Sequence, residues 1–468
     1  MTKQFIPALL LLLFAFKTTG QNTAIQVQYS ETYELANVIL ALTDYGIADD
    51  TEVQKGTPYY GVVMDFFKPM LSHPLLKAVN YSREKWADYL SFRTDAYAFE
   101  FDAQGKIRRK FEFWANDGHR PFDEHLALVQ DFAEKSRFRK FYENHRSYYD
   151  EIVGRYLSYY MVGEMQTFLN EEFGKFEQND NALVVISPLV NRMNCHRNLP
   201  GNVAADFATL GMALITGNRT DEVGRAEQAT DIHTLFTEMN HGYVNPISDR
   251  YAKQLEQQFD YTRWDQKSGY TGADCFNEYM TWAVYDLFTL RHFPEVADSI
   301  NRNWHFQNSN RGFPASSLFG KKLRDLYANK RTTERVKDLY PKVLAWTDAI
   351  QDSIRVPKPL HDTLTVSVNN AYAPLNIDFS EPLHKMDALD LVLFQVLNGE
   401  RKVLKTLTLQ RGQLLFFQGN RLRLTLPDLP KEKGLYGFNL NWWGRKHELT
   451  STFGIPAPSP TRVYVRVE

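Results

Sequence analysis

A glutamate and a histidine three residues apart have the residue types and the spacing of a hydrolytic site. Glu238 and His241 lie in the stretch TLFTEMNHGYVNP, residues 234–246. Zinc-dependent hydrolysis of amide bonds uses the helical pattern H-E-x-x-H, in which two histidines bind the ion and the glutamate takes a proton from the metal-bound water. Thr237 occupies the position of the first histidine. The stretch therefore supplies the general base and one ligand, and it lacks the other ligand.

The residues around Glu238 have the pattern of a helix. Neither glycine nor proline interrupts residues 225–241, and we expect Pro246 to end the helix. Glu238 and His241 share one face of such a helix because residues three apart are neighbours on its surface. E-x-x-H alone occurs about once by chance in a chain of this size, so a surface Glu-His pair also fits the pattern.

A second glutamate is predicted to be buried in a later helix. The segment DCFNEYMTWAVYDLFTLRHF, residues 274–293, is apolar nearly all round, which is typical of a buried helix, and Glu278 lies in its first half. A buried carboxylate is costly unless it is paired or binds a cation. A metal ion would satisfy Glu278, and so would an arginine such as Arg250, Arg263 or Arg291.

These surroundings resemble an exported bacterial family of unknown function that carries a gluzincin-type zinc metallopeptidase motif. Members of that family read approximately H-E-F-x-H-x-x-V-N-P, and the matching residues here are Glu238, His241, Val244, Asn245 and Pro246. Met239 replaces the family's phenylalanine and Thr237 replaces its first histidine. In general layout the resemblance extends over most of residues 25–300.

The resemblance implies a zincin fold of the gluzincin type. It implies zinc as the cofactor, with His241 and Glu278 as ligands and Glu238 as the general base. It also implies a peptide or protein substrate in extended form. The candidates for an oxyanion donor, which the sequence does not distinguish, are Tyr243, Tyr270 and His292.

Gluzincins have an edge strand beside the active-site helix that pairs with extended substrate. The β-branched run NALVVISPLV, residues 181–190, has the composition of a strand. Together with the loop at Cys195 and His196, this run is our candidate for that edge strand.

Threonine at position 237 is expected to weaken the zinc site. A neutral hydroxyl is a poor ligand beside imidazole, and the loss of one of three ligands lowers zinc affinity by several orders of magnitude. His233 lies eight residues before His241, which is about 12 Å along a helix and too far for one ion. His196 or Cys195 would have to move in from the neighbouring loop to complete the site.

Three interpretations follow. The favoured one is an exported zinc-metallopeptidase-like protein that is weakly active or inactive, with a cleft that still binds extended peptide. The second is an active metallopeptidase with an altered ligand set. The third is a non-enzymatic exported binding or scaffold protein of the cell envelope.

The chain begins with the outline of a secretory signal peptide at residues 1–20. Lys3 precedes an apolar run at residues 5–16, and small residues come before Gln21. We therefore expect export to the periplasm, the cell surface or the extracellular space. No later segment is apolar enough to be a transmembrane helix.

Two domains are predicted to follow the signal peptide, and together they make an α+β chain. Residues 21–355 form a helix-rich, zincin-like domain with long amphipathic runs at 31–45, 59–68, 123–159 and 341–354. Residues 356–468 have period-two segments typical of a β-sandwich, at 363–368, 375–380, 389–397, 403–409, 421–426, 435–443 and 462–467. Residues 373–383 resemble the bacterial immunoglobulin-like (Ig-like) modules that follow many exported enzymes.

Composition narrows the classes of partner and of covalent stabilisation. The 468 residues are 43% hydrophobic with a formal net charge of −2, and no basic stripe or nucleic acid-binding motif is present, so nucleic acid is not an expected partner. The chain has two cysteines, Cys195 and Cys275. Both would meet an oxidising compartment after export, and the sequence leaves open whether they pair.

Overall fold

A computed structural model of the chain describes residues 26–115, 119–174, 181–192, 194–201, 203–210, 221–367, 373–442 and 447–468. The predicted signal peptide at residues 1–20 lies outside the described residues. The described chain is α+β, with helices prevailing up to residue 353 and strands from residue 363 onward. None of its helices combines the length and the hydropathy needed to cross a membrane.

The helices fall into two groups along the chain. The first group is α1 (Glu31–Leu42), α2 (Asp44–Ala48), α3 (Pro58–Phe67), α4 (Pro74–Ala78), α5 (Trp86–Asp95), α6 (Pro121–Glu124), α7 (Leu126–Ser136), α8 (Phe138–Asn144), α9 (Arg146–Tyr159) and α10 (Val162–Phe173). The second is α11 (Glu222–Arg250), α12 (Ala252–Gln258), α13 (Tyr261–Trp264), α14 (Gly272–His292), α15 (Ala297–Arg311), α16 (Ser316–Ala328) and α17 (Tyr340–Ile350). Short 3-10 turns lie at Lys68–Met70, Arg83–Lys85, Ala96–Ala98, Val336–Leu339 and Gln351–Ser353.

A four-stranded sheet lies between the two hydrophobic cores of the helical region. Its strands are β1 (Gln26–Gln28), β4 (Asn181–Ile186), β5 (Cys195–Leu199) and β6 (Val203–Ala208), in the order β1-β4-β6-β5. β1, β4 and β6 are parallel, and β5 is antiparallel to β6. A separate hairpin pairs β2 (Phe99–Phe101) with β3 (Ile107–Arg109).

The two faces of the four-stranded sheet contribute to two different hydrophobic cores. Val184 and Ile186 pack into the core built around α11 and α14. Leu183 and Val185 pack into the core built around α1 to α8. Alternation along a strand explains this division, because successive side chains point to opposite faces. The sheet therefore has helices on both faces.

Two predictions about this region are wrong in detail. The run at 123–159 is four helices rather than one, and Arg137 adopts a left-handed conformation (φ 56°) between two of them. Pro246 does not end its helix, which continues to Arg250. Pro246 lies only four residues from that end, where the buried side chains of Val244 and Ile247 hold the last turn against the core.

The predicted edge strand is also wrong. Residues 181–186 form β4, which lies inside the sheet between β1 and β6. The edge strand is β5, and it contains the Cys195-His196 pair that we expected in a loop. A β-branched run indicates a strand, but its place in the sheet depends on non-local pairing that the run does not encode.

The C-terminal region consists of two sheets that share one core. The strands are β7 (Thr363–Val366), β8 (Leu375–Asp378), β9 (Ala388–Leu397), β10 (Glu400–Gln410), β11 (Leu415–Gln418), β12 (Arg421–Leu424), β13 (Gly434–Leu440) and β14 (Thr461–Val467). One sheet has the order β10-β9-β13-β14-β7 and the other β11-β12-β8. Each of the seven predicted segments contains a strand, and β11 is an additional one. Ile455 of this region packs into the core of α11 and α14, so the two regions are in contact.

Candidate functional site

Helices α11 and α14 bring His241 and Glu278 together, and Glu238 lies within electrostatic range of both. The Nε2 atom of His241 lies 3.5 Å from Oε1 of Glu278. On the other side of the ring, Nδ1 of His241 lies 3.2 Å from Oδ1 of Asn245, one turn later on α11. An amide oxygen only accepts hydrogen bonds, so Nδ1 carries a proton and Nε2 faces the Glu278 carboxylate.

The pair formed by His241 and Glu278 is accessible from solvent. Glu278 is the one residue between Cys275 and Thr289 that is not buried, and its side chain is 13% exposed. The side chain of His241 is 17% exposed, and a small part of Glu238 also reaches solvent. All three polar side chains are therefore within reach of solvent.

His241 is held in its charged form at neutral pH. Burial lowers its pKa, but the hydrogen bond and the charge of Glu278, together with the charge of Glu238, outweigh burial and raise the pKa of His241 to about 9. Of the three arginines considered as partners for Glu278, Arg263 lies near Asp260 and Asp352, and Arg291 pairs with Glu171. An imidazole therefore fills the role that the sequence left open between a metal and an arginine.

At Glu238, unlike at His241, burial sets the direction of the pKa shift. Burial raises the pKa of Glu238 to about 7, the charges of Asp206 and Glu278 act in the same direction, and His241 and His196 oppose them. A carboxyl with a pKa near neutrality is suited to exchange a proton at pH 7. Glu238 thus retains the property required of a general base.

The sheet contributes a second histidine and carboxylate next to Glu238. His196 on β5 and Asp206 on β6 are direct cross-strand partners, and Nδ1 of His196 lies 2.7 Å from Oδ1 of Asp206. Nε2 of His196 lies 3.3 Å from Oδ1 of Asn198. Both ring nitrogens of His196 are therefore engaged within the sheet.

A complete zinc centre does not fit the residues present. In a tetrahedral zinc site two nitrogen or oxygen ligands lie about 3.4 Å apart, so His241 and Glu278 match two corners of such a site. Thr237 is buried, and its hydroxyl donates to the carbonyl of Thr234 at 3.0 Å, within its own helix. Throughout the described ranges, no three His, Cys, Asp or Glu side chains are arranged to hold a metal ion.

Tyr270 is the candidate oxyanion donor that the structure places at this site. Burial raises the pKa of Tyr270, the charges of Glu278 and Glu238 raise it further, and the guanidinium of Arg311 lowers it. The phenol therefore lies within electrostatic range of both glutamates and of an arginine.

The other two oxyanion candidates lie elsewhere. Tyr243 is buried, and its hydroxyl donates to Asn170 of α10 at 3.0 Å. His292 is 14 residues beyond Glu278 on α14, about 21 Å along the helix, where its ring stacks on Phe288. It lines a separate cavity of about 410 Å³.

The accessory candidates His233 and Cys195 also point away from the pair. The His233 ring stacks on Trp304 at 3.6 Å, and burial lowers its pKa well below the usual value. The thiol of Cys195 packs into the core of the first helix group, on the opposite face of β5 from His196. Cys275 belongs to the other core, and both cysteines are free.

Two charged residues of this region, Asp206 and Arg311, were not identified from the sequence. Asp206 lies in the run VAADFA, where a charged residue among small apolar ones signals a carboxylate that needs a partner. That is the argument that identified Glu278, and it applies equally here. Arg311 gives no such signal, because its approach to Tyr270 depends on how two distant segments meet.

Comparison with known proteins gives little similarity. No family model and no curated protein matches the chain. Among solved structures, surface layer protein SbsC (domains 1–6) is 13% identical over 53% of this chain and 33% of that chain, with a TM-score of 0.17. The S-layer protein rSbsC(31–844) is 10% identical over 93% of this chain and 44% of that chain, with a TM-score of 0.18. The chain thus spans less than half of either structure.

Proposed function

We propose that this chain is an exported, zincin-like protein of the gluzincin type whose catalysis is lost or much reduced and whose cleft binds extended peptide. The supporting observation is the approach of His241 to Glu278 across two packed helices, with Glu238 within electrostatic range of both. The same three residues are those that the family resemblance assigns to the site. The C-terminal sheets fit an Ig-like module joined to it.

The sheet supports a peptide-binding role for the cleft. β5 lies at the edge of its sheet, and among the described strands it pairs with β6 alone. An edge strand has a row of free backbone N–H and C=O groups that an extended peptide satisfies by adding a strand. Because His196 of β5 acts electrostatically on Glu238, such a peptide would pass close to the general base.

The chemistry of the pair favours loss of activity. A metal ion must displace the proton that the carboxylates stabilise on His241, because a ligand histidine is neutral. Thr237 supplies no ligand in compensation, since its hydroxyl is bound to its own helix. The imidazolium and the carboxylate therefore neutralise each other's charge without a metal.

A rigid cell-envelope scaffold is the second candidate. It is favoured by one contact: Ile455 of the β-rich region is fully buried in the core of α11 and α14. A module held in this way has a fixed orientation, as a spacer requires.

Repair of the missing ligand tests the proposed function. We expect Thr237→His, supplied with zinc, to hydrolyse unfolded casein at least about a hundredfold faster than wild type, since general base catalysis at a metal-bound water contributes that much. The matched control is Thr237→His with Glu238→Gln, which keeps the ligands and removes the base. Hydrolysis by wild type at the rate of the repaired variant would contradict the loss of catalysis.

A further inference from the structure

The guanidinium of Arg311 is held against two aromatic rings, one of which belongs to α14. The Arg311 guanidinium carbon lies 5.4 Å from the ring centroid of Trp282 and 5.6 Å from that of Phe313. Trp282 follows Glu278 by one turn of α14, and residues four apart share a helix face. Arg311 therefore contacts the helix that carries Glu278, at the ring one turn further along it.

The backbone of Arg311 is fastened to a neighbouring loop. The Ser268 hydroxyl donates to the Arg311 carbonyl at 2.5 Å, and the Gln266 amide donates to the Gly312 carbonyl at 2.8 Å. Gly312 has φ +127°, and a Cβ there would lie 2.8 Å from the Ser268 hydroxyl. Only glycine allows the two segments to approach this closely.

The same loop positions Tyr270 against Arg311. Asp265 accepts hydrogen bonds from the backbone amides of Lys267, Ser268 and Tyr270, at 3.0, 2.7 and 2.7 Å. The Arg311 guanidinium lowers the Tyr270 pKa through its charge and through a hydrogen bond. Two rings and a phenol thus orient the guanidinium.

Arg311 differs from other arginines near the two helices in having no carboxylate. Arg291 pairs with Glu171 and Arg324 with Asp286, both at 2.5 Å. In the part of the chain that the structure describes, no carboxylate lies within ion-pairing distance of Arg311, which is exposed to solvent. An oriented guanidinium that no protein carboxylate neutralises is suited to bind a ligand carboxylate.

We propose that Arg311 is a specificity-determining residue that binds a carboxylate of the peptide in the cleft. The carboxylate belongs either to an acidic side chain or to the C-terminus of that peptide. This assignment rests on the proposed function, because it requires that the cleft bind peptide at all.

A selection from random hexapeptides tests the assignment. Two synthetic mixtures, one with free and one with amidated C-termini, are passed over immobilised full-length protein, and the bound peptides are sequenced by mass spectrometry. The variants are Arg311→Gln and Arg311→Lys. The control is Arg302→Gln, which removes an equal charge from the same helix. Thermal melting verifies that each variant folds.

We expect wild type and Arg302→Gln to retain carboxylate-bearing peptides about tenfold more than Arg311→Gln does, as the loss of a charge-assisted hydrogen bond predicts. Arg311→Lys should retain an intermediate amount of these peptides, because lysine keeps the positive charge but cannot form the two parallel hydrogen bonds of a guanidinium. Enrichment of Asp or Glu in both mixtures would show that Arg311 binds an acidic side chain. Retention only of the peptides with free C-termini would show that it binds the C-terminal carboxylate.

The two ways of failing are distinct. Equal retention of acidic, neutral, free and amidated peptides by wild type and Arg311→Gln would overturn the role of Arg311 and leave the peptide cleft in place. Retention of no peptide from either mixture would overturn the proposed function and the role of Arg311 with it.

Discussion

Helix α14 carries two histidine–carboxylate pairs, two turns apart, that differ in how completely their polar groups are satisfied. In one pair, Glu278 lies 3.5 Å from His241, and both side chains reach solvent. In the other, Asp286 accepts from Nε2 of His305 at 2.9 Å and from Arg324 at 2.5 Å, and Asp286 is 2% exposed.

The second pair has the residue types of a hydrolytic triad without the access of one. Nδ1 of His305 lies 2.9 Å from the Ser316 hydroxyl, and Ser316, like Asp286, is 2% exposed. Arg324 neutralises the carboxylate that would orient the histidine in a triad. Asp286, His305 and Ser316 are buried and hydrogen-bonded to one another, so the cluster stabilises the fold.

The comparison shows that residue types alone do not distinguish a site from a structural cluster. The pair at Glu278 is long, accessible and bordered by a carboxyl, Glu238, with a pKa near neutrality. The pair at Asp286 is short, closed and neutralised. Incomplete satisfaction near solvent is what marks a place for a ligand.

Removal of each carboxylate should show the largest difference. We expect Asp286→Ala to lower the free energy of unfolding by about 3–5 kcal/mol, because it leaves the buried His305 and the inner part of Arg324 without a partner. Glu278→Ala should cost at most about 2 kcal/mol, since relief of burial offsets the lost attraction to His241. Urea denaturation at pH 7 measures both. Equal losses in the free energy of unfolding would mean that the two pairs contribute equally to stability.

Gly320 packs tightly against the closed pair of Asp286 and His305. Its substitution should lower stability by less than Asp286→Ala does. A Cβ at Gly320 would lie 2.4 Å from Oδ2 of Asp286 and 2.7 Å from the His305 ring. We expect Gly320→Ala to destabilise the protein by about 1–3 kcal/mol through overpacking.

The control for this substitution is Gly154→Ala on α9, where a Cβ would meet nothing within 4 Å. That variant should be stabilised by about 0.5–1 kcal/mol, because alanine is the better helix former. Thermal or urea denaturation compares the two. A stabilised Gly320→Ala would contradict the account of a closed cluster.

The open pair predicts the smallest effect on stability and a clear effect on ionisation. In Glu278→Gln the pKa of His241 should fall from about 9, because burial then acts without its main opponent. In wild type the raised pKa contributes stability that is full below the unfolded value of about 6.5 and is lost as pH rises toward 9. The variant should lose this dependence.

NMR titration of the imidazole carbons measures the His241 pKa directly. His196 serves as an internal control, because its raised pKa depends on Asp206 and not on Glu278. An unchanged His241 in Glu278→Gln would mean that the two side chains do not interact.

The features that depend on residues close together in the sequence were predictable. A carboxylate in an apolar helix demands a partner, and Glu278 has one in His241. Period-two alternation located the strands from residue 363 onward, since one face of each strand is buried in a shared core. The helix around Glu238 followed from the absence of breakers.

The remainder depends on contacts between distant parts of the chain. Three features depend on such contacts: the position of β5 at the sheet edge, the pairing of His196 with Asp206, and the contact between segments that orients Arg311. In each case the sequence of one segment does not indicate which other segment it will meet. Pro246 was misread for the same reason, because tertiary packing keeps its helix intact.

The central claim is an inherited zinc site that lacks one ligand, and zinc titration calorimetry of full-length wild type beside Thr237→His tests it most directly. We predict that wild type binds less than one zinc per chain, and that Thr237→His binds one zinc about a thousandfold or more tightly, because it restores a third ligand to His241 and Glu278. Absence of tight zinc binding in both proteins would contradict the claim, and so would one tightly bound zinc in wild type.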